Sequence, residues 1–264
     1  MLQYIYDGTF EGLLTVIAAA LGTDEEIQEI TDREEEQTGL FTETKVVTTD
    51  PDTAGLFFQR LSGVISKLVL MDIVYCFLSE EKGIEKTLLG FVRLLLTKGE
   101  GAASNYSDPN VLKVRRLSDK VSHEIERLHG FIRFRKLRSG VFYAVVEPDY
   151  NIIQFLAPRF TARFADQAWL IHDRKRGTGI YYDGNNCRFL PSLSVLPELI
   201  SASSPYSPDS KQQASDLFDE QESRYQEIWN VYFQEIAIAE RKNERTQKQR
   251  MPVRYWRYLV EKIE

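Results

Sequence analysis

The chain has 264 residues, of which 43% are hydrophobic and 12% aromatic, and its formal net charge is −6 at pH 7. A chain of this length and apolar content can bury a substantial core, which excludes a disordered or fibrous protein. Its two cysteines, Cys76 and Cys187, are too few for a disulfide framework, an iron–sulfur cluster or a four-cysteine zinc site.

The most apolar stretch, LVLMDIVYCFL, is short and contains Asp72. A membrane-spanning helix needs about 20 predominantly apolar residues in a row. The first residues, MLQYIYDGTF, lack the basic and apolar segments of a secretory signal. We therefore expect a cytoplasmic protein with no membrane partner.

In chain order, the N-terminal part predicts a short strand followed by a helix. QYIYDGT alternates tyrosine-rich positions before an Asp-Gly turn, which is typical of a strand that ends at the turn. A helix is predicted from Phe10. Its apolar residues are Leu13, Leu14, Ile17 and Leu21. The acidic stretch 23–37 predicts a solvated helix or a loop.

Three more helices are predicted before residue 130. Apolar residues recur at helical spacing in each, and Asp50 or Thr49 before Pro51 would cap the first. The apolar residues are Phe57, Leu61, Ile65, Leu68 and Val69, then Ile84, Leu88, Phe91 and Leu95, and, between Val111 and His129, Val114, Leu117, Val121, Ile125 and Leu128. A loop, GEGAASNYSDPN, separates the last two helices.

The pattern changes to strands at Gly130. FIRFRKL and VFYAVVEPD are joined by RSG, and WLIHD and IYYDG flank RKRGTG, so each pair predicts a hairpin. With the N-terminal strand they predict one small, mostly antiparallel sheet. From Asp219 the pattern is helical again, and a last helix is predicted to begin at Pro252.

These elements predict an α+β fold with helices packed at both ends of the sheet. We expect a single compact domain over residues 1–264. Its helical part covers about 10–129, its β-rich part about 130–190 and its C-terminal helical part about 215–264.

The charge is unevenly distributed. Residues 1–100 contain 8 basic and 18 acidic side chains, 127–188 contain 11 and 5, and 240–257 contain 7 and 2. A local positive field can bind a polyanion even on an acidic protein. The alternative is that the two basic segments are ordinary solvated faces.

Arginines of the two basic segments are the candidate nucleic-acid ligands. On the predicted last helix, Val253, Trp256, Val260 and Ile263 share an inward face, and arginines share another, without obvious acidic partners. Two arginines four residues apart, at 159 and 163, suit a phosphate, with an ion pair to Glu147, Asp149 or Asp173 as the alternative. The predicted set is Arg133, Arg135, Arg159, Arg163, Arg241, Arg245, Arg250, Arg254 and Arg257.

Candidate catalytic residues are few. His129 and His172 are possible acid–base groups, the latter beside Asp183, although a lone histidine is more often structural. RKRGTG offers three cations and glycine backbone but lacks the spacing of a phosphate-binding loop. Three histidines spread over the chain predict no metal site.

Several long motifs together resemble a bacterial family described as probable DNA metabolism proteins, built on a domain of unknown function. The motifs are YIYDGTFEGLL, LHGFIRFRKL, FYAVVEPDYNIIQFLAPRFTARFADQAWLIHDRKRGTGIYYDG and DEQESRYQEIWNVYFQEIAIAERKNERTQKQRMPVRYWRYLVE. That family typically accompanies a radical S-adenosylmethionine protein proposed to act in DNA modification or repair. A similar region occurs fused to uracil-DNA glycosylase domains.

The resemblance implies a role in nucleic-acid metabolism, and it supplies no catalytic residues. It implies a radical S-adenosylmethionine partner that holds the S-adenosylmethionine and an iron–sulfur cluster, with no cofactor in this chain. Three hypotheses follow: an accessory protein that binds DNA or RNA for a catalytic partner; an enzyme acting on nucleic acid or nucleotide; or a module that docks another protein.

Overall fold

The computed structural model describes residues 2–23, 25–32, 43–193, 217–236 and 243–262. The chain divides into two units, residues 1–122 and 123–264. The boundary falls inside one long helix, Pro109–Phe131. None of the described helices is long and apolar enough to cross a membrane.

Unit 1 contains a three-stranded parallel sheet. Its strands are β1 (Leu2–Ile5), β2 (Ile27–Thr31) and β3 (Glu43–Val46), in the order β2-β1-β3. A parallel pair needs a crossover, which helix α1 (Phe10–Leu21) supplies between β1 and β2. The N-terminal strand was expected in the same sheet as the hairpins, and this expectation is wrong.

The acidic stretch after residue 22 contains β2, where a helix or loop was predicted. Ile27 and Ile30 are buried, and the backbone pairs with β1. Two buried isoleucines and pairing with β1 are sufficient for a strand here. The sequence does not reveal this strand, because two isoleucines in a stretch of carboxylates form no clear pattern and the pairing with β1 is not local.

A hydrogen-bonded cluster fixes the start of α1. Thr9 caps the helix, with its hydroxyl accepting the N–H of Gly12 at 3.0 Å. Asp7 accepts hydrogen bonds from the backbone and hydroxyl of Thr9 and from the hydroxyl of Thr49. A Cβ atom on Gly12 would lie 2.2 Å from an Asp7 carboxylate oxygen, so any larger residue here would displace that carboxylate.

Four further α-helices follow along the chain, and the last of them continues from unit 1 into unit 2. They are α2 (Pro51–Val64), α3 (Lys67–Leu78), α4 (Ile84–Lys98) and α5 (Pro109–Phe131). Asp50 caps α2 as predicted. The single helix predicted through Val69 is two helices, because Ile65 and Ser66 are extended and Ser66 caps α3. Part of the predicted loop after α4 is a 3₁₀ helix, Glu100–Ser104.

Unit 2 contains a five-stranded mixed sheet. Its strands are β4 (Arg135–Lys136), β5 (Phe142–Val146), β6 (Trp169–Asp173), β7 (Thr178–Tyr182) and β8 (Cys187–Leu190), paired in chain order. Both predicted hairpins are confirmed, as β4–β5 and β6–β7. Strands β5 and β6 are parallel because α6 (Ile153–Arg163) crosses between them. The α+β class is confirmed, but the prediction of one mostly antiparallel sheet is wrong.

The described C-terminal part has two α-helices, α7 (Glu222–Glu235) and α8 (Glu244–Arg250). The predicted last helix is instead two short 3₁₀ helices, Val253–Tyr258 and Val260–Lys262. A 3₁₀ helix has three residues per turn, so its inward face differs from that of an α-helix. Tyr255 and Leu259 are buried, whereas Val253 is 55% exposed; Ile263 lies outside the described residues.

Gly12→Ala is expected to lower the free energy of unfolding by about 1–3 kcal/mol. The new methyl group would displace the Asp7 carboxylate from its three hydrogen bonds. Urea unfolding followed by circular dichroism measures the change. The matched control is Gly55→Ala in α2, where an added Cβ meets no atom within 4 Å, and where alanine should be neutral or stabilising by up to about 1 kcal/mol. Equal effects at the two glycines would contradict this explanation.

Candidate functional site

A cavity of about 650 Å³ lies in unit 2. The end of α5 contributes His129 and Gly130, and α6 contributes Phe160 and Arg163. The sheet contributes Phe142 and Trp169, and one side of α7 completes the wall with Glu222, Tyr225, Gln226 and Trp229. This volume lies within the usual range for small-molecule sites.

Aromatic rings form one wall of the cavity. The ring of Phe134 lies 5.5 Å from those of Phe160 and Phe164 and 6.2 Å from Trp169. Edge-to-face contacts at these distances are favourable and hold the rings in place. Trp169 is 1% exposed, and within the described part of the chain its indole N–H has no hydrogen-bond partner.

Cations and one carboxylate lie among the rings. Arg133 forms two hydrogen bonds with Glu261, at 2.6 and 3.3 Å, and lies over the Trp229 ring. Glu222 is buried and accepts hydrogen bonds from the Lys136 backbone N–H and from Gln226. The Lys136 ammonium is 3.2 Å from Asp219.

Arg163 differs from the other cations of the cavity. Its side chain is exposed and lies over the Phe164 ring at 5.2 Å. Among the described residues it forms no ion pair. Its guanidinium is therefore the cation most accessible to an anionic ligand.

Of the two candidate histidines, His129 is in the cavity. Burial lowers the pKa of its imidazole, and the positive charge of Arg159 lowers it further, although Glu126 and the Phe155 carbonyl act in the opposite direction. The ring is therefore neutral at pH 7. The Arg159 guanidinium is 3.5 Å from His129 Nδ1.

His172 and Asp183 do not form an acid–base pair. His172 is buried in β6, where its Nδ1 lies 2.8 Å from the Tyr143 hydroxyl, and burial lowers its pKa. Across the sheet His172 is paired with Gly179 of β7. Asp183 follows Gly179 by four residues, which is about 13 Å along a strand. The Asp183 carboxylate accepts the backbone N–H groups of a turn at Asn185 and Asn186.

Two predicted nucleic-acid ligands in the last segment have acidic partners. Arg254 is 3.1 Å from Glu124 and 2.8 Å from Asp149, and Arg257 pairs with Glu147. The sequence interpretation found no matching acids because these lie more than 100 residues earlier in the chain. The two arginines fasten the last segment to the rest of unit 2.

The other predicted arginines have varied surroundings. Arg135 is largely buried beside the Phe218 ring, and its burial lowers its pKa. Arg159 is exposed and pairs with Glu126 at 3.4 Å, not with the acids proposed from the sequence. Two of them, Arg245 and Arg250, are exposed on α8, and Arg241 lies outside the described residues.

The three cations of RKRGTG are also engaged within unit 2. Arg174 pairs with Glu147, and Arg176 pairs with buried Asp173 at 3.0 Å. Lys175 donates to the carbonyl of Asp149 at 2.8 Å. This turn is therefore tied to the neighbouring loop rather than open to an anion.

Sequence analysis missed Glu124, a buried carboxylate that joins several segments. It is 1% exposed and accepts the backbone N–H groups of Asp149 and Tyr150, both at 3.0 Å. It also accepts from Arg254 and from the hydroxyl of Tyr255. One signal was present in the sequence, because Glu124 lies three residues after Val121 and so falls within the apolar stripe of α5.

No metal centre is present among the residues that the structure describes, where no three His, Cys, Asp or Glu side chains lie close enough to hold an ion. The chemistry available in the cavity is aromatic stacking, ion pairing through Arg163 and hydrogen bonding by His129 and Gln167.

Unit 2 is thus an α+β unit with an aromatic and basic cavity. Residues 82–261 match the model of the family described as "Domain of unknown function (DUF4130)". Because the match covers more than half of the chain, the protein belongs to this family, and the expected domain of unknown function is confirmed. The matched range contains every residue of the cavity. A comparison with curated proteins found no match.

Glu124→Gln is expected to lower the free energy of unfolding by about 3 kcal/mol. An amide cannot accept all four hydrogen bonds, and it leaves Arg254 without its buried counter-charge. Denaturant unfolding measures the loss. Two residues further along α5, Glu126→Gln serves as the control. Among the described residues this exposed side chain forms an ion pair with Arg159 alone, so its loss should lower the free energy of unfolding by less than about 1 kcal/mol. A similar small effect of both substitutions would show that Glu124 does not anchor the last segment.

Proposed function

We propose that this protein is a nucleic-acid-associated accessory protein in DNA modification or repair. It binds the phosphate backbone and delivers the substrate to a catalytic partner. One observation carries the proposal: an aromatic cavity in unit 2 has Arg163 at its wall, with no ion pair to any described residue.

This combination suits a nucleotide. The faces of Phe and Trp rings stack with bases irrespective of sequence, and a guanidinium binds two phosphate oxygens at once. A cavity of about 650 Å³ has room for one base with its sugar and phosphate. A small anion without an aromatic ring would make few contacts with this aromatic wall.

The ion pairs narrow the predicted set of phosphate ligands. Arg133, Arg254 and Arg257 have carboxylate partners within unit 2, so their first role is structural. The proposed backbone contacts come from the exposed residues Arg159, Arg163, Arg245 and Arg250. Few contacts of this kind predict modest affinity and a shallow dependence on salt.

The DNA substrate and the partner come from the family resemblance of the sequence. That resemblance supports a complex with a radical S-adenosylmethionine protein or a glycosylase-type enzyme. Two cysteines, one buried and one exposed, do not suffice for an iron–sulfur cluster, so the partner would hold the cluster and the S-adenosylmethionine.

A second candidate function is an enzyme acting on nucleic acid or nucleotide. It is favoured by His129, which lies in the cavity and is neutral at pH 7, as a general base must be. No described carboxylate hydrogen-bonds to its ring to orient it, and the Arg159 guanidinium lies 3.5 Å from its Nδ1. The accessory role is therefore preferred.

Arg163→Ala is expected to weaken DNA binding about three- to tenfold near 0.1 M salt and to reduce the slope of log K against log salt by about 1. The physical reason is the loss of one phosphate contact. Fluorescence anisotropy of labelled DNA across a salt series measures both quantities.

The matched control is Arg60→Ala, which removes an exposed arginine from unit 1. This variant should bind like the wild type. The proposal is contradicted if the wild-type protein shows no salt-dependent binding, or if the two variants lose affinity equally.

A further inference from the structure

We infer that the cavity, together with an aromatic row on α7, recognises an unpaired strand: one unstacked base enters the cavity, and its neighbours stack on the row. The aromatic row consists of Tyr225, Trp229 and Tyr232. This inference rests on the proposed function and deepens it, because it specifies strandedness and the way the strand is held.

The shape of the cavity favours a single base. Half-buried aromatic rings of three segments line it, namely Phe134, Phe142 and Phe164. Inside a duplex, neighbouring bases cover both faces of each base, so only an unstacked base can offer its faces to these rings. A nucleotide in an unpaired strand reaches this state at low cost.

Polar groups that suit the edge of a base also line the cavity. They are the Gln167 amide and the neutral His129 ring, and an amide or an imidazole can donate to a base or accept from it.

The aromatic row continues from the cavity along an exposed helix face. Tyr225 and Trp229 line the cavity, and Tyr232 follows three residues later, so all three lie on one side of α7. They are 59%, 37% and 53% exposed, and the Trp229 and Tyr232 rings are 5.8 Å apart. Exposed rings in a row are the platform on which successive bases of a single strand stack.

Charge favours an anionic strand over an apolar partner. Arg133 lies 5.3 Å from the centre of the Trp229 ring, and Arg163 lines the same cavity. A lipid or an apolar helix would bury the Arg163 guanidinium, which forms no ion pair with a described residue, without compensation. The one carboxylate of the wall, Glu222, already accepts hydrogen bonds from Lys136 and Gln226.

The experiment uses the full-length protein and a thymidine strand of about ten nucleotides with one central 2-aminopurine, alone and in a duplex. Anisotropy gives the affinity, and 2-aminopurine emission reports the surroundings of that base. Gly130→Leu fills the cavity, because Gly130 lines it and an added Cβ meets no atom within 4 Å. Gly63→Leu is its control, at an exposed helical glycine of unit 1 with equal free space.

We expect the wild-type protein to bind the single strand about tenfold more tightly than the duplex and to change the 2-aminopurine emission. Gly130→Leu should abolish the emission change and lose about tenfold in affinity for the single strand. Gly63→Leu should do neither. Equal affinity for single strand and duplex, or an emission change that survives Gly130→Leu, overturns the inference while the proposed function stands. Absence of any binding overturns both.

A second pair of variants decides the matter if Gly130→Leu fails to fold by circular dichroism. Tyr232→Ala removes an exposed ring from the aromatic row, and Tyr106→Ala removes an equally exposed ring, at 53%, from unit 1. Tyr232→Ala should weaken single-strand binding about fivefold, and Tyr106→Ala should leave it unchanged. Equal affinities of the two variants would overturn the inference.

Discussion

The carboxylate of Glu124 holds together parts of unit 2 that are far apart in the sequence. A carboxylate that is 1% exposed needs hydrogen bonds to all its lone pairs, and it obtains them from residues 149 and 150 and from the segment around Tyr255. The last segment is thereby placed against the sheet, and its later residues reach the cavity. Val260 lines the wall, and the next residue, Glu261, binds Arg133. The shape of the cavity therefore depends on an interaction that lies outside it.

The same ion pairs change how the basic segments should be understood. A stripe of arginines suggests a broad positive face, but Arg254 and Arg257 neutralise carboxylates of the sheet and its loops. The predicted arginines that remain exposed are Arg159, Arg163, Arg245 and Arg250, and of these Arg163 lies beside the rings of the cavity. This is why the proposed function relies on aromatic contacts with a few phosphate contacts, and not on a long electrostatic groove.

The sequence predicted elements whose signal is local. Helices α1, α4 and α5 follow from apolar spacing, and both hairpins follow from turn residues between β-rich runs. The parallel sheet of unit 1 could not be predicted, because β2 has two buried isoleucines in an acidic stretch and all four residues of β3 are exposed. Candidate residues such as His129, Arg133 and Arg163 were identified one by one. Their common cavity was not, because it forms only when α5, α6, the sheet and α7 come together. Glu124 was overlooked because a single acid in an apolar stripe usually marks the edge of a buried face.

The central claim is that unit 2 binds nucleic acid through the cavity and the aromatic row. Photo-crosslinking of a single strand that carries 5-iodouracil, followed by mass spectrometry of the peptides, tests it most directly, because this base reacts with aromatic side chains that it contacts. The account predicts crosslinks to residues of the cavity and the row, such as Phe164, Tyr225 and Trp229. Crosslinks confined to aromatic residues of unit 1, or none under conditions where anisotropy shows binding, would contradict it.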